Sequence, residues 1–139
     1  KLNVHKDYDI HPKLELQRKF NLIVYLSQEW KPEWGGALEL WSHDYEKNKP
    51  KEKVVDVEIK FNRAMLFDTS QNSWHGLPKK INCPEGHFRK SLAVYYLTDA
   101  DDNTGDRKRA LFAPYEDQEK DEDVLKFIEN RCKLTEYMK

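Results

Sequence analysis

Cysteine is nearly missing from this chain: Cys83 and Cys132 are the only two in 139 residues. Two thiols cannot build a disulfide framework, which excludes a small cross-linked scaffold and fits free thiols in a reducing compartment. Glycine and proline are also few, 5 and 6, which excludes collagen-like and low-complexity readings. No apolar run approaches the roughly 18 residues that a membrane span needs. The first residues carry no secretory pattern, so the reading expects a cytoplasmic protein. Neither sign of charge dominates, with 24 Lys and Arg against 25 Asp and Glu. A balanced surface gives no electrostatic footprint for nucleic acid or an anionic membrane. No heptad and no internal repeat persist. What the chain does hold is aromatic mass, 4 Trp, 7 Tyr and 6 Phe, which argues for a packed fold over a disordered segment.

Period-2 alternation and β-branched runs predict strands over 20–26, 37–41, 54–59, 64–68 and 73–77. The run 88–98 is the longest strand signal. In the first of these, Asn21, Ile23 and Tyr25 share one face, and Phe20, Leu22, Val24 and Leu26 the other. The charged stretch 43–53 contains Pro50 and reads as an exposed loop. Residues 99–109 read as a solvated linker. In 121–134, Val124, Phe127, Ile128 and Cys132 follow helical spacing. Short strands between turn signals, closed by one helix, predict an all-β fold with a peripheral helix, a β-sandwich or jelly roll. The reading divides the chain into a core over 1–98 and a loop plus C-terminal helix over 99–139, packed on the same domain.

Chemistry concentrates at a few positions. His5 and Asp7, two apart in an extended segment, point to one side. His75, in Ser-Trp-His-Gly, offers a third ligand. Two imidazoles and one carboxylate on one side of an ion form the donor set of non-haem Fe(II) oxygenases. By themselves these residues also fit a surface pair and a hydrogen-bonded core histidine. Arg89 and Ser91 share a face with Ala93 and Tyr95, while Leu92, Val94 and Tyr96 are expected to pack the core. An arginine facing into a barrel is costly unless it meets an anion, and its fork matches a carboxylate. Tyr25 offers a phenolic donor on the polar face of its strand. Ile23 and Asn21 beside it, and Tyr95 beside Arg89, are candidate pocket walls. Arg18 and His11 fall in what reads as a solvated loop after the His-x-Asp motif.

Six blocks stand in order: H-K-D, R-K-F-N-L-I-V-Y-L-S-Q-E-W, G-G-A-L-E-L-W, N-R-A-M-L-F-D-T, S-W-H-G-L-P and C-P-E-G-H-F-R-K-S-L-A-V-Y-Y-L-T. Together, from His5 to Thr98, they resemble the prolyl-4-hydroxylase-like group of Fe(II)/2-oxoglutarate-dependent oxygenases. The resemblance implies a double-stranded β-helix, the cupin-like jelly roll. It implies His5, Asp7 and His75 as iron ligands. It implies Arg89 as the grip on the distal carboxylate of 2-oxoglutarate, with Ser91 and Tyr25 assisting. It implies a dioxygenase that uses Fe(II), 2-oxoglutarate and O2, with ascorbate as an optional reductant. The substrate would be a peptidyl proline or a small amino-acid-like molecule, so the expected partners are a peptide, a protein or a small metabolite. Asp7 argues against a halogenase, which leaves that ligand position to halide.

The resemblance departs at one point. Family members carry helices and a strand before the His-x-Asp strand, and only four residues precede His5 here. The reading therefore expects missing N-terminal support and a sheet edge that is exposed or paired with a second copy. Two rival functions stay open: a non-catalytic jelly-roll module that binds a metal or ligand, and a Zn-dependent hydrolase on a cupin-like barrel.

Overall fold

The computed structural model describes residues 1–69 and 72–133. Its strands are β1 (Leu2–Lys6), β2 (Gln17–Tyr25), β3 (Leu38–Asp44), β4 (Lys49–Val57), β5 (Ala64–Asp68), β6 (Trp74–Leu77), β7 (Ser91–Thr98) and β8 (Leu111–Phe112). A single α-helix, α1 (Glu122–Lys133), follows them. The strands form a five-stranded sheet in the order β4-β3-β6-β1-β8 and a three-stranded sheet in the order β5-β2-β7. Every named pairing is antiparallel. The chain is thus mostly β with one helix, and the two layers meet where Phe67 of β5 packs its ring 5.0 Å from that of His75 on β6. Position 134, the last of the expected helix, and the rest of the tail lie outside the described residues.

Register decides which side chains face the second layer. Across β5-β2-β7, Asn21 stands between Phe67 and Tyr95, and Ile23 between Met65 and Ala93; Tyr25 opposes Ser91. The expected polar-face set of β2 therefore lies on the inner side, and Tyr25 and Asn21 are buried there. The ladder slips once, between Arg18 and Phe20, where two steps along β2 oppose one along β7. Such a bulge inverts the alternation. It carries Arg18 to the inner side, although strict period 2 from Phe20 would send it out. Arg18 is accordingly a buried strand residue, 4% exposed, and not part of a solvated loop.

Several expectations are corrected. Residues 43–53 are a hairpin, because β3 runs on to Asp44 and β4 begins at Lys49. The Asp44 carboxylate caps the turn by accepting the Glu46 and Lys47 amides at 3.0 Å each. Pro50 is tolerated because β4 is an edge strand, where a missing donor breaks no ladder. The longest strands are β2 and β4, nine residues each, not the 88–98 run. The Leu92, Val94 and Tyr96 face does not pack a core: these residues are 53%, 37% and 48% exposed on the outer side of β7. On α1, Phe127 also stays exposed, since the helix packs mainly on the two-residue β8.

The edge beside the N-terminus is not open over its functional stretch. β1 pairs with β6 on one side and β8 on the other, with His5 opposite Phe112 and Lys6 opposite Leu111. The "linker" thus ends in a strand that covers that edge. The buried set is small and largely polar: among the described residues, His5, Lys6, Gln17, Arg18, Asn21, Glu39, Thr69 and His75 stand beside Val4, Tyr25, Leu38, Phe67 and Trp74. Buried polar residues are the informative ones, and most of these lie on β1, β2 and β6.

Candidate metal centre

His5 lies near the end of β1, Asp7 just beyond it, and His75 directly across the ladder on β6. Gly76 makes this approach close: a Cβ on it would stand 2.8 Å from the Val4 Cα and 2.9 Å from the Asn3 oxygen. His5, Asp7 and His75 each offer a ligand atom, and these atoms all lie within 4.8 Å of one another. His75 Nε2 is 3.3 Å from Asp7 Oδ2, and His5 Nε2 is 3.8 Å from Asp7 Oδ1. Donors on adjacent octahedral positions around an ion at about 2.1 Å sit roughly 3 Å apart, so a small contraction seats a metal.

The imidazoles are oriented for that use. His5 Nδ1 is 2.8 Å from the Asn3 carbonyl, and His75 Nδ1 is 3.0 Å from the Ser73 carbonyl. Each ring donates Nδ1–H to the carbonyl two residues earlier, which turns its Nε2 toward Asp7. Backbone partners of this kind set the tautomer of ligating histidines. Burial, and then the neighbouring His75, lower the His5 pKa, so the ring is held neutral, the form that binds metal. Burial alone would raise the Asp7 carboxyl. His75, Arg18 and His5 outweigh it, and the group sits below the ordinary carboxylate range.

Arg18 is the residue that sequence reasoning undervalued. Its Nη2 lies 3.0 Å from Asp7 Oδ2. Its guanidinium stacks 3.7 Å over the Tyr95 ring and 4.9 Å over Tyr8. Arg18 thus pairs with the same carboxylate that faces both imidazoles. The signal in the sequence was a charged residue two before a β-branched run, but a bulge is not legible there. Tyr95 thus reaches the centre through Arg18, and Asn21 and Ile23 line the sheet next to it.

Arg89 stands just before β7, not on it. The segment is tied to the end of β2: the Leu26 amide donates to the Lys90 carbonyl at 2.9 Å, the Lys90 amide to Ser27 Oγ at 2.7 Å, and Ser27 Oγ to the Phe88 carbonyl at 3.0 Å. Arg89 Nε donates to the Gly36 carbonyl at 2.9 Å, and Nη1 reaches Ser91 Oγ at 3.4 Å. Gly36 has φ +79°, and a Cβ there would press on Arg89 Cδ at 3.2 Å. The guanidinium lies 5.4 Å from the Tyr25 ring centre. Among the described residues no carboxylate lies within ion-pair distance of Arg89. Burial draws its pKa down, with Tyr25 opposing, and burial pushes the Tyr25 phenol up, with Arg89 opposing.

The donor set fits the expected groups on further grounds. Among the described residues, Asn21 Oδ1, Tyr25 OH and Thr69 Oγ1 are buried side-chain oxygens without a hydrogen-bond partner. Each such atom costs about 1–3 kcal/mol, and native proteins rarely carry several together. Asn21 and Tyr25 lie on β2, opposite Tyr95 and Ser91, and Thr69 follows β5. A ligand carboxylate at Arg89 would accept a hydrogen bond from the Tyr25 hydroxyl, the one of these atoms that stands beside that cation.

No curated protein matches the chain. A family model described as the 2OG-Fe(II) oxygenase superfamily matches residues 1–97, from β1 through nearly all of β7. That span is more than half of the chain and contains the triad, Arg89, Ser91 and Tyr25, and the protein belongs to the 2OG-Fe(II) oxygenase superfamily.

Proposed function

We propose that this chain is an Fe(II)- and 2-oxoglutarate-dependent dioxygenase of the prolyl-4-hydroxylase-like group, on a double-stranded β-helix. It hydroxylates an unactivated C–H bond of a peptidyl proline or a small amino-acid-like substrate. The observation that carries the reading is the convergence of His5, Asp7 and His75 within 4.8 Å, with both Nε2 atoms turned toward the carboxylate. When bound, iron and 2-oxoglutarate supply the oxidation: O2 and 2-oxoglutarate give succinate, carbon dioxide and one hydroxyl on the substrate carbon.

The chain's own residues bind and orient. His5, Asp7 and His75 hold the ion. Arg89 supplies the permanent cation for the distal carboxylate of 2-oxoglutarate, because guanidinium stays protonated at any working pH. Tyr25 and Ser91 donate hydrogen bonds to that carboxylate, and Asn21 and Ile23 form the wall between the two sites. Tyr95 borders the iron position through Arg18. Ascorbate would serve as an optional external reductant.

The test is oxygen-dependent succinate formation from 2-oxoglutarate by the Fe(II)-loaded chain, with proline-containing peptides and free amino acids compared as substrates. Turnover that requires Fe(II), O2 and 2-oxoglutarate supports the reading. Hydrolytic turnover with Zn(II) under nitrogen would support the hydrolase instead. Metal binding with no turnover on any substrate would support a binding module.

A further inference from the structure

The family match ends at residue 97, yet the chain beyond it returns to the metal motif and touches it on both sides of Asp7. We propose that the return segment, residues 105–113, is a strap that positions the metal ligands, with Phe112 and Arg107 as its positioning residues. The inference rests on the metal-binding reading above.

The β1 strand needs such help. It is five residues long, and its pairing with β6 is irregular between Leu2 and His5. Only the His5–His75 register pair stands next to the ligands on that side. On the other side the Ala113 amide donates to the Val4 carbonyl at 2.8 Å, and Phe112 opposes His5. The Phe112 ring stacks on the His5 imidazole with centroids 5.0 Å apart and planes 22° apart. A stacked ring limits rotation of the imidazole about its last side-chain bond, which directs Nε2. Phe112 is itself held from α1, where the Arg131 guanidinium lies 4.5 Å over its ring.

Beyond β1 the chain has left the ladder, and Arg107 takes over. Its carbonyl accepts the Asp9 amide at 2.7 Å and the Ile10 amide at 3.3 Å. Its guanidinium forms a two-point pair with the Asp9 carboxylate, through Nε at 3.2 Å and through Nη2. Nη1 reaches the Lys6 carbonyl at 3.5 Å. One side chain thus grips the residues before and after Asp7. Both ends of the pair are well buried, 15% and 12% exposed, so solvent screens it little. Gly105 completes the fit, since a Cβ on it would collide with the Asp9 carboxylate.

The prediction is read by Co(II), which reports affinity by titration and ligand geometry by its visible ligand-field bands. Full-length wild type is compared with Phe112→Ala, Phe112→Leu, Phe112→Tyr, Arg107→Lys and, as a control on α1, Phe127→Ala. Folding of each metal-free variant is followed by circular dichroism. Phe112→Ala and Arg107→Lys are expected to weaken Co(II) binding about 10- to 100-fold, the usual effect of losing a group that orients a ligand, and to alter the bands. Phe112→Tyr keeps the ring and should stay near wild type, as should Phe127→Ala. Should Phe112→Ala fail to fold, Phe112→Leu carries the test, because it retains apolar volume without a ring plane. Folded variants that bind Co(II) with wild-type affinity and spectrum would overturn the strap, whatever they lose in thermal stability. Wild type that takes no Co(II) would overturn the metal-binding reading itself, and the strap with it.

Discussion

Tyr25 illustrates how one atom separates stability from binding. Its side chain is fully buried, and among the described residues its hydroxyl has no hydrogen-bond partner. Tyr25→Phe removes an unsatisfied donor, so the ligand-free protein should gain up to about 1–3 kcal/mol or stay level. The same change should weaken 2-oxoglutarate binding by about tenfold, as one lost hydrogen bond of ~1.4 kcal/mol requires. Denaturant melts and anaerobic titration of the Mn(II)-loaded protein read the two effects. A large loss of stability would show that the hydroxyl serves the fold. Arg89 should behave more severely. Its guanidinium donates to the Gly36 carbonyl, reaches Ser91 and lies beside the Tyr25 ring. Arg89→Ala should raise the 2-oxoglutarate dissociation constant tenfold to several hundredfold, on hydrogen bonds to charge worth roughly 1.5–3 kcal/mol each. Arg89→Lys should retain part of the affinity. Metal binding should not change in either variant; unchanged co-substrate affinity would move that role to another cation. For the triad, His75→Ala should abolish Co(II) binding, and survival of a tight site would remove His75 from it.

At the scale of elements, the contact between β1 and β6 is the joint on which the centre depends. The three atoms nearest the Cβ of an alanine at position 76 would all be backbone of β1, at 2.8–2.9 Å. Backbone cannot turn aside as a side chain can, so β1 must retreat as a unit. Gly76→Ala should cost about 1–3 kcal/mol, the usual range for overpacking, and should weaken Co(II) binding as well. Gly86→Ala provides the contrast. Its φ, unlike that of Gly76, is positive, +81°, and its Cβ would meet nothing within 4 Å. It should lose stability from backbone strain alone and leave metal binding intact. Chemical denaturation and Co(II) titration of the two variants side by side test this. Equal effects on metal binding would mean that the close approach of β1 is not what sets the site.

Across the whole molecule, the outer side of β5-β2-β7 stands out as a partly exposed apolar face. The register sets Leu66, Leu22 and Val94 in one row and Ala64, Val24 and Leu92 in the next, with Phe20 beside Tyr96. Leu66 and Leu92 are more than half exposed. A contiguous apolar face of this kind invites association, and β7 adds an unpaired edge. Any tendency of this chain to self-associate should therefore reside here and not at β1. A Leu66→Glu, Leu92→Glu double variant should lower binding of a hydrophobic dye and reduce concentration-dependent association in sedimentation experiments. It should leave Co(II) binding unchanged, since both positions face away from the triad. Association that persists in the variant would locate the contact elsewhere.

The chemistry was legible in the sequence because it is carried by residue type and short spacing. His5 and Asp7 are two apart, Arg89 and Ser91 likewise, and Asn21, Ile23 and Tyr25 alternate on one strand, so their common faces follow from a period of two. The strands β2, β5 and β6 were legible for the same reason. What only the tertiary structure decided has non-local causes. Arg18 reaches Asp7 because a bulge reverses its direction, and a bulge is specified by pairing with β7, distant in sequence. Pro50 lies in a strand because β4 happens to be an edge. Leu92, Val94 and Tyr96 show a core pattern, but alternation states only that a face is apolar, not that something covers it. Residues 99–109 look solvated because their charges dominate locally, and the two-residue strand that follows at Leu111–Phe112 leaves no periodic signal. Their role depends on Arg107 finding Asp9 and Phe112 finding His5, contacts across about a hundred residues that only the folded chain brings together.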